Sequence, residues 1–346
     1  MPFRRLPETV HTLYAELLDQ LRAADAEAAT ADVKGTFVSK TIRGRVYWYE
    51  QRSEGAAKRQ IYLGPESTEL LDRIQSSSAG KKAREPDERR RRELVTMLAA
   101  GGMFRESAAV GTVLRVLSEA SVFRAGGVLV GTQAFTTIAN LLGVGFDRET
   151  LRTADVDVAY DTTIQLGIPK HDDRNLLSRL QSADPAFFAV PGIDVREPST
   201  SFKVRGRDLR VDFLTPSRGG AGGKPVVLPH LGVAARPLRG LDYLIEGSID
   251  AAVLAGSSVL VNVPAPARYA LHKLWLSSQR PASEAAKARK DLRQAEQLLE
   301  VLAEDWPDDV SAAWQELMSK KIMARAVRSA ARKMSETLQE RLIRLV

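Results

Sequence analysis

The chain has 346 residues, 50 Lys and Arg against 43 Asp and Glu, a net charge of +7 and no cysteine. That length accommodates two or three domains, the basic balance favours an anionic partner, and the missing thiols exclude disulfides, thiolate catalysis, iron–sulfur clusters and cysteine zinc sites. No apolar run approaches the roughly 18 residues of a membrane span, and the opening MPFRRLPETV lacks the apolar stretch of a signal peptide, so we expect a cytoplasmic protein with no membrane partner.

Val10, Leu13, Leu17, Leu18 and Leu21 recur at helical spacing and predict a helix over Pro7–Ala29. Next, Phe37, Ile42, Val46, Trp48, Ile61 and Leu63 alternate with polar residues, and turns fall at Arg43-Gly44-Arg45 and Ser53-Glu54-Gly55. This predicts a three-stranded antiparallel meander. Its aromatics Tyr47, Trp48, Tyr49 and Tyr62 lie among Lys40, Arg43, Arg45, Arg52, Lys58 and Arg59. Such a texture either stacks on bases and holds phosphates or packs its rings on neighbouring helices. Ser67–Gly101 reads as helix with a polar break at Ser76–Gly80, and the run KKAREPDERRRREL reads as a solvated helix face. A further helix is expected over Ala108–Ser121.

From Phe123 to Pro216 the texture is α/β. Val128-Leu129-Val130 is a short apolar strand broken by Gly131-Thr132, and Gln133–Leu142 has helical periodicity. Ala154–Tyr160 alternates as a strand, Asp172–Gln181 reads as a helix, and Phe187–Val190, Ser201–Val204 and Leu209–Leu214 read as strands. Gly219–Gly223 is a flexible loop, without the Gly-Lys-Ser/Thr ending of a P-loop. Beyond Pro264 helices are expected over Ala267–Ser277 and Ala282–Ala303, then one bent helix or two from Asp308 on. The expected divisions are 1–100, a helix, meander and basic linker; 101–230, an α/β core; and 231–346, a mostly helical domain.

The chemistry lies in three aspartates on two of these strands. Asp155 and Asp157 stand at i and i+2 and so share one strand face, while Val156 and Val158 turn to the core. Two like charges this close are costly unless a cation bridges them. Asp212, flanked by Val211 and Phe213, joins the pair if its strand lies beside the first. An all-oxygen cluster suits Mg²⁺ or Mn²⁺ rather than zinc. Strand, Gly131-Thr132, then helix places backbone N–H groups where a phosphate can bind. His171, His230 and His272 have no consistent partner for a catalytic triad.

Val130-Gly131-Thr132, Thr153-Ala154-Asp155-Val156-Asp157-Val158 and Val211-Asp212-Phe213 together resemble the signature of the DNA polymerase β-type nucleotidyltransferase superfamily. The longer texture, including Pro264–Leu274 and Lys290–Ala295, is similar to an uncharacterised bacterial branch near the AbiEii-like and minimal nucleotidyltransferases. Thr132 stands where Ser or Gly is usual, and the stretch from Gly131 to Asp155 is longer than the commonest spacing. The resemblance implies an α+β nucleotidyltransferase core with a mixed sheet and a C-terminal helical domain. It further implies transfer of a nucleoside monophosphate from an NTP to an acceptor hydroxyl. On this reading Asp155, Asp157 and Asp212 hold Mg²⁺ or Mn²⁺, Asp212 also helps deprotonate the acceptor, and Gly131 and Thr132 hold phosphates. Lys273, one turn past Tyr269, is expected at the triphosphate, with Lys287 and Lys290 as further candidates. Arg152 is expected to pair with an acid of the trio or a phosphate, and Lys203 faces an unassigned side of its strand.

The acceptor is expected to be RNA, possibly a tRNA end. The grounds are the overall charge, the aromatic–basic meander and a C-terminal stripe of Lys321, Arg325, Arg328 and Arg332 on one helix face. A protein acceptor of toxin–antitoxin or defence type, and an idle nucleotide- or nucleic-acid-binding protein, are the alternatives.

Overall fold

A computed structural model describes residues 3–30, 36–54, 57–76, 85–146, 154–162, 175–192, 198–217 and 223–345. In chain order the first elements are β1 (Phe3–Arg5), α1 (Glu8–Thr30), β2 (Thr36–Ile42), β3 (Arg45–Glu54), β4 (Ala57–Pro65), α2 (Thr68–Ser76), α3 (Glu85–Ala100) and α4 (Ala108–Glu119). The middle of the chain forms β5 (Val128–Val130), α5 (Gly131–Leu141), β6 (Val144–Phe146), β7 (Asp155–Ala159), α6 (Leu176–Ala183), β8 (Phe187–Ala189), β9 (Ser201–Val204) and β10 (Arg210–Pro216). There follow β11 (Val226–Leu228), β12 (Val233–Leu238), α7 (Leu241–Ile245), β13 (Ile249–Val253) and β14 (Val259–Val263). The remainder is helical: α8 (Pro266–Gln279), α9 (Ala285–Asp305), α10 (Pro307–Ser319), α11 (Lys321–Ala331) and α12 (Glu336–Leu345).

A mixed nine-stranded sheet organises the chain, in the order β11-β12-β10-β7-β5-β14-β13, with β9 paired to β10 and β8 to β9. β10 runs parallel to both β7 and β12, and β5 runs antiparallel to β7. β9 takes residues Arg210 to Asp212 of one edge of β10, and β12 takes Leu214 to Pro216 of the same edge. The α+β class expected from the sequence is the class observed.

One apolar core joins the sheet to the C-terminal helices, from Val110 and Leu129 through Val211 and Phe213 to Leu298, Val327 and Leu342. The division expected at residue 230 falls inside this body: β11 to β14 belong to the same sheet as β5, β7 and β10, and the all-helical part begins at Pro266. Three helices, not two, follow Asp305, because the chain turns again at Lys320 and near Ser335. Part of the long connection after Gly143 is strand β6, paired antiparallel with β1. α1 docks on the sheet through its own cluster, in which Val10, Leu17 and Leu21 meet Leu94, Leu98 and Leu254.

The meander β2-β3-β4 forms as expected, with Arg43 and Gly44 both at positive φ in its first turn. Tyr47, Tyr49 and Tyr62 are buried in it, the ring centroids of Tyr47 and Tyr49 lying 6.1 and 5.5 Å from that of Tyr62. Trp48 lies on the opposite face against Ala26, Leu63 and Leu70, and its indole Nε1 donates to Glu66 Oε2 at 3.0 Å. The three tyrosines are therefore core residues and offer no stacking platform. Position i, i+2 on one strand and a cross-strand partner put them on the covered face. On α3, Arg89, Arg90 and Arg92 pair with Glu93, Glu16 and Glu88, as a solvated helix face should. Residues 77–84, Gly55 of the second meander turn, and the side chains of Arg52, Lys58 and Arg59 lie outside the described set. Among the described residues no helix is long and apolar enough to cross a membrane.

Candidate active site

β7 and β10 lie side by side in parallel register, with Asp157 opposite Asp212 and Asp155 opposite Arg210. Register partners on neighbouring strands share a face, so one face carries Asp155, Asp157, Asp212 and Arg210. The other face carries Val156, Val158, Val211 and Phe213, all fully buried. On the far side of Asp157 lies Val130, the last residue of β5. The next residue, Gly131, opens α5 at φ +68. A Cβ there would run into the Asp157 carboxylate, so glycine is required both by the backbone angle and by the space. The Gly131 carbonyl accepts a 2.7 Å hydrogen bond from the Tyr269 hydroxyl on α8.

The acids are in mutual tension. Burial pushes the Asp157 carboxyl up to about 6, with Asp212 and then Asp155 adding to the rise and Lys273 and Arg236 opposing it. Asp212, only 9% exposed, receives Arg210 Nε on Oδ1 at 2.9 Å, and the same nitrogen donates to Ser201 Oγ at 2.8 Å. Among the described residues no three Asp, Glu or His side chains already form a metal cage; Asp212 is turned toward Arg210 instead. The donor set is nevertheless all oxygen and carries excess negative charge, which is the chemistry a hard divalent cation offsets.

Three lysines were candidates for the triphosphate, and the structure separates them. Lys290 on α9 donates from Nζ to Thr132 Oγ1 at 3.1 Å, at the first turn of α5. Burial lowers its pKa, Lys273 adds to the lowering, and Asp291 and Asp155 oppose it. Lys273 is buried, with Nζ 2.8 Å from Asp291 Oδ1 and 5.5 Å from the Tyr269 ring centroid. Arg280 Nε holds the other Asp291 oxygen at 3.0 Å. Lys273 thus faces Asp157 electrostatically while its hydrogen bond goes to Asp291. Lys287 pairs with Glu284 at 3.0 Å on the surface, away from Thr132. Arg152 and His171 lie outside the described residues, as do residues 219–222 of the glycine loop.

Four participants escaped the sequence reading. Arg210 was detectable in principle, since it stands at i−2 from Asp212 on a strand. Arg236 shares the acid face because it pairs in register with Leu214, but its strand was not foreseen. Asp291 and the Tyr269–Gly131 bond carry no local signal. His230 and His272 take no part. His230 lies 5.7 Å from the Tyr160 ring and His272 5.4 Å from that of Trp275, and burial pushes them down to about 4 and about 3.

A solved nucleotidyltransferase-like protein from Paracoccidioides brasiliensis aligns at 15% identity over 65% of this chain and 94% of its own, with a TM-score of 0.31. No curated protein matches. The nucleotidyltransferase family profile matches residues 108–319, which hold the sheet, all three aspartates and helices α8 to α10. The chain belongs to that nucleotidyltransferase family.

Proposed function

We propose that the protein transfers a nucleoside monophosphate from an NTP to an acceptor hydroxyl. The observation that carries this reading is the register of Asp157 with Asp212, beside a helix start whose Thr132 already holds Lys290. The α5 N-terminus contributes backbone N–H groups and a positive dipole end to the terminal phosphates. Lys290 adds a full charge at the same spot, and Arg236 is a second cation on the acid face. Lys273 acts from behind, through Asp291 and the field at Asp157.

Mg²⁺ or Mn²⁺ held by Asp155, Asp157 and Asp212 would neutralise the triphosphate and acidify the acceptor hydroxyl. The acceptor oxygen forms a bond to the α-phosphorus, the bond from that phosphorus to the bridging oxygen breaks, and pyrophosphate leaves with the electron pair. Asp212 takes the hydroxyl proton and passes it to water. Arg210 orients the Asp212 carboxylate for this task, since its Nε is itself fixed by Ser201. The kinship to the AbiEii-like branch, and with it a toxin–antitoxin role, rests on the sequence texture of Gly126–Phe135, Ala154–Ala159, Pro264–Leu274 and Lys290–Ala295.

The test is incubation with Mg²⁺ or Mn²⁺ and each α-³²P-labelled NTP in the presence of total RNA and protein extract. Label is expected in an acceptor with the wild type and absent with the Asp155→Ala/Asp157→Ala variant. Asp212→Ala should bind NTP yet lose at least 100-fold in turnover, about 2.7 kcal/mol in the barrier. An Asp212→Ala protein of full activity would remove that residue from the mechanism.

A further inference from the structure

The open sheet face does not end at the acids. Arg210 of β10 pairs in register with Lys203 of β9, and Asp212 with Ser201. Lys203 in turn pairs with Phe188 of β8. Direct partners in antiparallel strands share a face, so Phe188, Lys203 and Arg210 continue the face of Asp155 and Asp212. Phe187, Phe202 and Val204 on the other side are buried. Lys203 is exposed, Phe188 is half-buried, and Arg205, exposed two residues further along, lays its guanidinium 5.7 Å from the Phe188 ring centroid. Three strand spacings, roughly 14 Å, separate β7 from β8.

Among the described residues no acid answers the exposed charges of this strip. Arg207, on the neighbouring turn, is paired with Asp184. Among the described residues neither Lys203 nor Arg205 has an acidic partner. Two exposed cations and a half-open aromatic ring run in line from the three carboxylates to the sheet edge.

We infer that the face of β10, β9 and β8 is the acceptor track, and that it binds the end of a single-stranded nucleic acid. This rests on the transfer reading above and names its acceptor. Lys203 and Arg205 meet backbone phosphates, a base stacks on the Phe188–Arg205 pair, and the terminal hydroxyl reaches Asp212. Alternating cation and ring is what a nucleic acid strand asks of a surface. An acidic peptide would use the cations but leave the stacked pair without purpose. The tyrosines of the meander are buried, so this strip takes over the role that the sequence texture offered to them.

The experiment measures anisotropy of fluorescent twelve-nucleotide single strands, one RNA and one DNA, with the whole protein across a salt series. The wild type is expected to bind at least one of them, and the two arms say which sugar it accepts. Lys203→Gln/Arg205→Gln should bind about tenfold more weakly, with a log–log salt slope smaller by about 1.4, the share of two phosphate contacts on a single strand. Arg205→Lys keeps the charge and loses the stack, so its slope stays while its affinity falls. Both positions are exposed, and a matching melting temperature shows the variants folded. Binding of Mg²⁺ with ATP, GTP, CTP and UTP in turn by the wild type, read separately by calorimetry, tests the transfer reading alone. If an NTP binds and neither strand does, the track is wrong and the transfer reading stands. If a strand binds through Lys203 and Arg205 but no NTP binds, the surface stands and the transfer reading falls. Equal strand binding by the double variant, or transfer of label to protein only, overturns the inference.

Discussion

The Tyr269 hydroxyl and the Gly131 carbonyl oxygen are 2.7 Å apart, a hydrogen bond between residues 138 positions apart in the chain. It fixes α8, and the helical layer behind it, to the turn where the sheet hands over to α5. Tyr269 is buried, and burial together with Asp291 and Asp157 pushes its phenol well above its ordinary pKa, so it remains a donor.

Replacing Tyr269 by Phe keeps the ring and leaves the Gly131 carbonyl without this donor. The expected loss is about 1 to 2 kcal/mol of stability in urea unfolding. The affinity for NTP should fall as well, because the turn carrying Thr132 loses its anchor. Unchanged NTP affinity would mean that the turn is held by α5 and β5 alone.

Gly131→Ala tests the contact between the turn and the strand that carries Asp157. Positive φ costs an alanine of order 1 kcal/mol or more, and its methyl must also displace the Asp157 carboxylate. The two costs separate in a double-mutant cycle with Asp157→Ala. The clash disappears in the double variant while the backbone cost remains. We expect a coupling of at least about 0.5 kcal/mol in unfolding free energy. Strict additivity would show that the carboxylate has room to move aside.

The three aspartates were legible because a strand has a period of two. Asp155 and Asp157 flank a core valine, and Asp212 lies between Val211 and Phe213, so each had to point away from the core. What the pattern did not contain was the partner of each charge. Lys273 reads as a phosphate ligand at its position in α8, and it is buried with its hydrogen bond on Asp291, which arrives from α9 eighteen residues later. Arg210 lies next to Asp212 by the same period-two rule that revealed the acids, yet its charge pointed to nothing until the register was known. The strands from Val226 to Val263 are three to six residues long. β12 (VAARPL) and β13 (IDAAV) are built largely from Ala, Pro and Asp, residues depleted in strands, so the sheet, not the local sequence, fixes them.

Lys273 and Lys290 should behave differently under the same substitution. Lys273→Met breaks a buried pair and leaves Asp291 with Arg280 only, a change that costs about 3 to 5 kcal/mol when a buried partner is removed. Lys290→Met removes a half-buried cation whose bond is to a hydroxyl, so stability should move by less than about 1.5 kcal/mol. NTP affinity should fall about tenfold in Lys290→Met. Thermal unfolding and nucleotide titration of the two variants check this together. The assignment of Lys290 to the phosphates fails if its variant binds NTP as the wild type does.

His272 makes the fold sensitive to acid independently of the carboxylates. Its Nε2 has no hydrogen-bond partner among the described residues. Its pKa falls from 6.5 to about 3: burial lowers it most, Lys273 and Arg280 lower it too, and Asp291 and Asp242 oppose. The neutral ring is therefore the form that fits the folded chain. Between the two pKa values the unfolded chain binds the proton and the folded chain does not, so stability falls as the pH drops below 6.5. At pH 5 the loss from this one residue is about 2 kcal/mol relative to pH 8. His272→Phe keeps an aromatic ring against Trp275 and removes the titration. Urea unfolding at pH 8 and pH 5 should show a smaller drop for the variant by about that amount. Equal drops would place the acid sensitivity elsewhere, with His230, whose pKa burial lowers to about 4, as the next residue to replace.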